Sequence, residues 1–143
     1  MPTDGTAVAL RAAKTAIRLA AGFDARITAV HVMPPYSERA AGKIRRAVGA
    51  TMTREAYRTL MARRGNAALG RIAAQAKAAK VPFEQVLLTG QEPSDGIIEA
   101  ARDNGCDLIV MGSNARVGIE RLFLGSVATD VLTHSKTPVL VCR

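Results

Sequence analysis

The sequence predicts an α/β domain: an open, doubly wound parallel sheet with helices on both faces. Three observations point to it. Strand-like and helix-like segments alternate with short connections, as a parallel sheet with crossover helices requires. Two strand-like segments, Asp107 to Met111 (DLIVM) and Pro138 to Cys142 (PVLVC), are continuously apolar, the pattern of strands covered on both faces. The 143 residues are 48% hydrophobic and 22% charged, which suits one globular domain with a full core. No linker or internal repeat divides them, so a single domain over residues 1–143 is expected.

Each element has its own local signal. Asp4-Gly5-Thr6 reads as a turn and N-cap opening a helix from about Thr6 to Ala21. Val8, Ala12, Ala16, Leu19 and Ala20 share one face of it, and Gly22 is the expected stop. Ala25 to Val32 reads as a strand closed by Met33-Pro34-Pro35. Residues 36–50, polar, basic and punctuated by glycine, read as a loop. A long helix follows from about Thr53 to Ala79, with Ala56, Leu60, Leu69, Ile72, Ala73 and Ala76 as its inward stripe. Gly65 and Gly70 each weaken it by up to about 1 kcal/mol and invite a kink. Val81 to Thr89 is strand-like, and Pro93 to Asn104 is a helix ended by Gly105. The apolar strand Asp107 to Met111, a glycine-bearing loop, a last helix and the strand Pro138 to Cys142 complete the chain.

Composition excludes several functions. Aromatic residues are 3% and Trp is absent, which argues against readers of single-stranded nucleic acid that stack bases on rings. No apolar run approaches the roughly 20 residues that span a bilayer. A basic segment followed by an apolar stretch is missing at the N-terminus, so no secretory signal is expected, and the default is a cytoplasmic protein. Cys106 and Cys142 show neither CxxC nor zinc spacing.

The formal charge of +8 is concentrated in one segment. Arg39 to Lys80 holds eleven Lys or Arg and one acid, Glu55. Such a stripe suits an anionic partner, or a solvated helix face whose Arg stems cover apolar surface. No nucleic-acid motif accompanies it, so nucleic acid is not the expected partner.

Ligands of open parallel sheets bind beyond the carboxyl ends of the strands. Those ends are Thr3-Asp4-Gly5, Val32-Met33-Pro34, Thr89-Gly90 and Met111-Gly112-Ser113. The last opens the segment GSNARVGIERLFLGSVATDVL. Gly112 follows an apolar strand, and Gly125-Ser126 stands where the last helix begins. The amides of Gly125, Ser126 and Val127 then face a ligand from a helix N-terminus, where the dipole favours phosphate. Ser126 adds a hydroxyl and Arg116 a positive charge. Neither GxxxxGK[ST] nor GxGxxG occurs. The glycines have a plain structural reading too, as permitting a tight strand-to-helix connection.

Asp107 to Arg143 resembles the C-terminal half of the universal stress protein family. That family's nucleotide-binding pattern is Gly, two residues, Gly, nine residues, Gly and then Ser or Thr. The start Pro2-Thr3-Asp4-Gly5-Thr6, the strand end His31-Val32 and the finish PVLV fit as well, so the resemblance covers nearly the whole chain, most weakly from Tyr36 to Lys80. It implies a Rossmann-like fold that binds ATP, ADP or AMP, with Mg²⁺ carried on the phosphates. Asp4, beside Thr3, would meet the ribose and adenine side, and Val32 would hold adenine. Gly112, Ala115, Arg116, Gly125 and Ser126 would line the phosphates, flanked by Met111 and Val127. The resemblance also implies a homodimer through residues 138–142, and an exposed apolar edge strand needs such a cover.

Two departures stand out. Ala115 occupies the second glycine of the pattern, and a positive φ there would cost about 1 kcal/mol or more. The family's first strand has several apolar residues before Pro-Thr-Asp, whereas the given sequence starts at Met1. Either the sheet is compromised, a neighbouring or partner chain substitutes, or the given start lies downstream of the true one.

The remaining candidates have simple structural roles. His31 ends a strand with a local hydrogen bond, and His134 suits a helix C-terminus. Asp4 caps the first helix and can assist a phosphate-bound Mg²⁺. No spacing suggests a Ser/His/Asp triad. The leading expectation is a dimeric, stress-responsive regulator that binds an adenine nucleotide and acts on an unidentified protein partner. The alternatives are a nucleotide-free dimeric scaffold of the same family and, last, a slow ATPase or self-phosphorylating protein, for which no general base is evident.

Overall fold

The computed structural model describes residues 1–48, 53–113 and 124–143. Along the chain run α1 (Ala7–Gly22), β1 (Ile27–Met33), α2 (Glu38–Val48), α3 (Arg54–Ala78), β2 (Phe83–Thr89), α4 (Pro93–Asp103), β3 (Ile109–Gly112), α5 (Ser126–His134) and β4 (Val139–Cys142). All pairing is parallel: β1 with β2 from Ile27↔Phe83 to Met33↔Thr89, and β3 with β4 from Ile109↔Val139 to Gly112↔Cys142. Helices α1 and α3 pack on one face of the strands, α4 and α5 on the other. The expected α/β architecture is therefore present, with core on both sides.

Between β1 and β3 lies the segment 1–3. Val30 donates its N–H to Met1, Thr3 donates to the Val30 carbonyl, and Pro2 bridges Val30 in parallel. A cavity of about 10 Å³ beneath it is walled by Thr28 and Val30 on one side and by Leu108 and Ile109 on the other. The ladders β1–β2 and β3–β4 stay separate among the described residues. The Met1 amine donates to the Thr28 carbonyl, and burial lowers its pKa to about 6.

The stretch expected to be a loop, residues 36–50, instead contains α2; residues 49 and 50 lie outside the described residues. Ser37 caps it, its Oγ accepting the Ala40 N–H at 3.2 Å and its carbonyl the Ala41 N–H at 2.9 Å. Glu38 in the first turn and Arg45 and Arg46 in the last complement the dipole. Tyr36 meets buried Tyr57 edge to face at 5.4 Å, and the Arg54 guanidinium lies 5.2 Å over the Tyr36 ring. Tyr36 donates its hydroxyl to Glu38, a bond that raises its pKa.

Three helix ends share one device. After α1, α3 and α4 a residue takes positive φ: Asp24 (51°), Lys80 (57°) and Gly105 (59°). The next N–H then reaches back to a carbonyl five residues earlier: Ala25 to Ala20, Val81 to Ala76, Cys106 to Ala101. This is the Schellman closure. Gly22 is thus the last residue of α1, and Asp24 rather than Gly22 turns the chain toward β1.

Three glycines seat helices on strands, and at one of them, Gly96 of α4, a Cβ would stand 2.9 Å from Val32 of β1. A Cβ on Gly65 would stand 2.6 Å from the His31 ring and 2.7 Å from Leu87, so α3 lies directly against β1 and β2. α3 runs unbroken through both glycines that were expected to weaken it. A Cβ on Gly112 would stand 2.9 Å from the Val8 carbonyl oxygen, so α1 rests on the end of β3.

Gly65→Ala and Gly112→Ala should each destabilise the protein by about 1–3 kcal/mol through overpacking. Gly70→Ala, with nothing within 4 Å of the new methyl, should stabilise it by up to about 1 kcal/mol. Urea unfolding checks the set, and a stabilised Gly65→Ala would refute the close seating of α3. Lys80→Gly should raise stability by up to about 1 kcal/mol in the same assay by relieving the left-handed backbone.

Candidate functional site

The carboxyl ends of the strands open into a cleft of about 950 Å³. Its first wall is the loop before α1. Thr3 is buried and tied to β1 through Val30, and its Oγ accepts the Gly5 N–H at 3.2 Å. Gly5 turns at φ 80°, a conformation that a side chain resists. Asp4 Oδ1 accepts both the N–H and the hydroxyl of Thr6, at 2.9 and 2.6 Å. Thr6, not Asp4, is the N-cap of α1, accepting the Ala9 N–H. The Asp4 carboxylate therefore braces the cap from the cleft side.

The second wall is the end of β1, where His31, Val32 and Pro34 face the cleft. His31 Nδ1 lies 2.7 Å from the Thr3 carbonyl, an acceptor only, so this nitrogen carries the proton. The bond is not local: it ties β1 to a segment 28 positions earlier.

The third wall is the end of β3 with the start of α5. Met111, Gly112 and Ser113 meet Gly125, Ser126 and Val127 there. Buried Ser113 Oγ accepts the Gly125 N–H at 2.9 Å, a clasp from strand end to helix start. The Gly125 amide is thereby committed, which corrects the expectation that it faces a ligand. Gly125 is the N-cap, with φ −62° and ψ 152°, extended backbone open to any residue. The amides of Ser126, Val127 and Ala128 follow it and have no carbonyl four residues back within the helix. Gly112 serves helix seating, since Val8 occupies the space beside its Cα.

Thr3, Asp4, Val32, Met111, Gly112, Gly125, Ser126 and Val127, separated by as many as 124 positions, thus line one cleft. Ala115 and Arg116 lie outside the described residues. The sequence reading missed Met61 and Arg64 of α3, which form a fourth wall, and the Ser113 clasp. The seven-residue interval from buried Tyr57 to Arg64 was a signal for α3, placing Arg64 at the edge of its buried face. Among the described residues no three or more His, Cys, Asp or Glu gather to hold a metal, and no helix is long and apolar enough to cross a membrane. His134, as expected, closes its helix, with Nδ1 2.9 Å from the Asp130 carbonyl.

Comparison with known proteins places this geometry in a family. The universal stress protein family model matches residues 1–143. A universal stress protein of Methanocaldococcus jannaschii is 36% identical over 145 residues, covering the whole chain and 79% of that relative. The structure of a universal stress protein from Archaeoglobus fulgidus superposes with a TM-score of 0.77 at 23% identity, over 99% of this chain and 95% of that one. A universal stress protein solved in complex with cAMP has a TM-score of 0.67 at 27% identity, over 99% and 91% of the two chains. Parallel strands wound by helices on both faces, a cleft at their carboxyl ends and a match over the full length agree: the chain belongs to the universal stress protein family.

Proposed function

We propose that this universal stress protein binds an adenine nucleotide in the cleft and works as a cytoplasmic, dimeric regulator of a stress response. The observation that carries the reading is the meeting of Thr3, Asp4, Val32, Gly112, Ser126 and Val127 in one cleft with a helix N-terminus at its edge. The cAMP complex of a relative supports it. In this reading the base and ribose lie along Val32 and Asp4. The phosphates meet the Ser126 hydroxyl and the amides of Ser126 and Val127, where the dipole of α5 favours negative charge. Ala115 and Arg116, outside the described residues, are assigned to the phosphates by the sequence pattern alone.

A divalent ion fits this site only through the nucleotide. Among the described residues one carboxylate, Asp4, lines the cleft, and Mg²⁺ held by phosphates keeps several waters and needs few carboxylates. Mg²⁺ would supply charge neutralisation of the phosphates. The dimer forms through β4, whose Leu140 is 38% exposed at the edge of the β3–β4 ladder. The seating of α1 against Gly112 favours a second reading, a nucleotide-free dimeric scaffold, because it explains that glycine without a ligand.

Calorimetric titration with ATP and Mg²⁺, with AMP and GTP alongside, separates the two. Saturable binding that prefers adenine is expected. Asp4→Ala and Gly125→Val should each weaken it by about tenfold or more and leave the dimer intact. Wild-type affinity in both variants would overturn the site, and no heat from a folded dimer would establish the scaffold.

A further inference from the structure

The basic segment sends one arginine into the cleft. Arg64 is the single Lys or Arg in the cleft lining among the described residues. Its position is imposed by packing on both sides. The next residue, Gly65, presses α3 so closely on His31 and Leu87 that no Cβ fits between them. One heptad on, Arg71 donates from its guanidinium to the Gly5 carbonyl at 3.3 Å, fastening the same flank of α3 to the Thr3–Thr6 loop. Arg64 forms no ion pair among the described residues, where the ion pairs are those of Arg102 with Glu99 and Asp103.

Arg64 approaches from the side opposite the α5 N-terminus. Helix α3 packs on β1 and β2, whereas α5 packs on α4 and β4 across the strands. The cleft thus has two separate attractions for negative charge. In the nucleotide reading above, 5′ phosphates at α5 leave the nucleoside half along Asp4 and Val32, in the cleft that His31, Met61 and Arg64 also line. A guanidinium there suits a second phosphate held by paired N–H donors.

Resting on the nucleotide reading above, we propose that Arg64 forms a second anion-binding point, so that the preferred ligand class is adenosine phosphorylated at both its 5′ and 3′ positions. His31 is the other titratable group on this wall; its Nδ1 proton is committed to the Thr3 carbonyl. Asp4 borders the same nucleoside half from the loop that Arg71 fastens to α3; with its Oδ1 engaged by Thr6, its carboxylate serves the free ribose hydroxyl and leaves the 3′ phosphate to Arg64.

The test measures dissociation constants for AMP, ADP and adenosine 3′,5′-bisphosphate at one ionic strength. The probes are the full chain and its Arg64→Ala, Arg64→Lys and Arg63→Ala variants. ADP carries its second phosphate on the 5′ chain and controls for charge alone. The wild type should prefer the 3′,5′-bisphosphate to AMP and ADP by about tenfold. Arg64→Ala should erase that preference without weakening AMP, Arg64→Lys should keep part of it, and Arg63→Ala should change nothing. AMP binding with no preference for the bisphosphate overturns this proposal and leaves the nucleotide reading standing. Equal weakening of all three ligands by Arg64→Ala overturns it as well, because Arg64 then serves the part common to them. Binding of none of the three overturns both.

Discussion

The structure depends on how closely its helices approach the strands. With no Trp and few aromatics, the core is built from small side chains, and α1 alone buries Ala9, Ala12, Ala13, Ala16 and Ala20. Ala68 and Ala76 of α3 and Ala100 and Ala101 of α4 continue the pattern. Small side chains remove apolar surface from water only when the backbones behind them come near, and dispersion falls off within an ångström of separation. Glycine marks where that approach is tightest: Gly65 on His31 and Leu87, Gly96 on Val32, Gly112 on Val8.

The same closeness shapes the cleft. Gly112 sets the start of α1, and with it the Thr6 cap and Asp4, beside the end of β3. Gly65 sets Arg64 and Met61 beside the end of β1. Ser113 then fastens α5 to β3, leaving the next amides of that helix directed past the strand ends. Packing glycines and ligand-facing residues are neighbours in the chain because one backbone position fixes both. This makes a glycine beside a cleft ambiguous: Gly112 reads as a cradle for phosphate, and in the folded chain it seats a helix.

Legibility differed among elements for physical reasons. The strands Ile109–Gly112 and Val139–Cys142 were plain because burial on both faces demands an unbroken apolar run. α1 was plain because its cap and apolar stripe are local. α2 was not, since Gly42 and its run of bases outweighed the Ser37 cap, and its support comes from Tyr57 on another helix. The turns at Asp24 and Lys80 were hidden because neither residue is glycine; a carbonyl five residues earlier makes the conformation worthwhile. Arg64 was one arginine among eleven bases until α3 was set against β1.

By itself, then, the sequence determined the α/β class, the apolar strands, the family resemblance and three strand ends that border the cleft, at Thr3-Asp4, Val32 and Met111-Gly112-Ser113; the fourth end it marked, Thr89-Gly90, does not line the cleft. These follow from periodicity and local chemistry, which neighbouring residues carry. The tertiary structure decided which atoms face a ligand. It committed the Gly125 amide to Ser113, gave the space beside Gly112 to Val8, and brought Arg64 to the opposite wall. Each of those outcomes is a contact between groups far apart in the chain, and only packing brings such groups together.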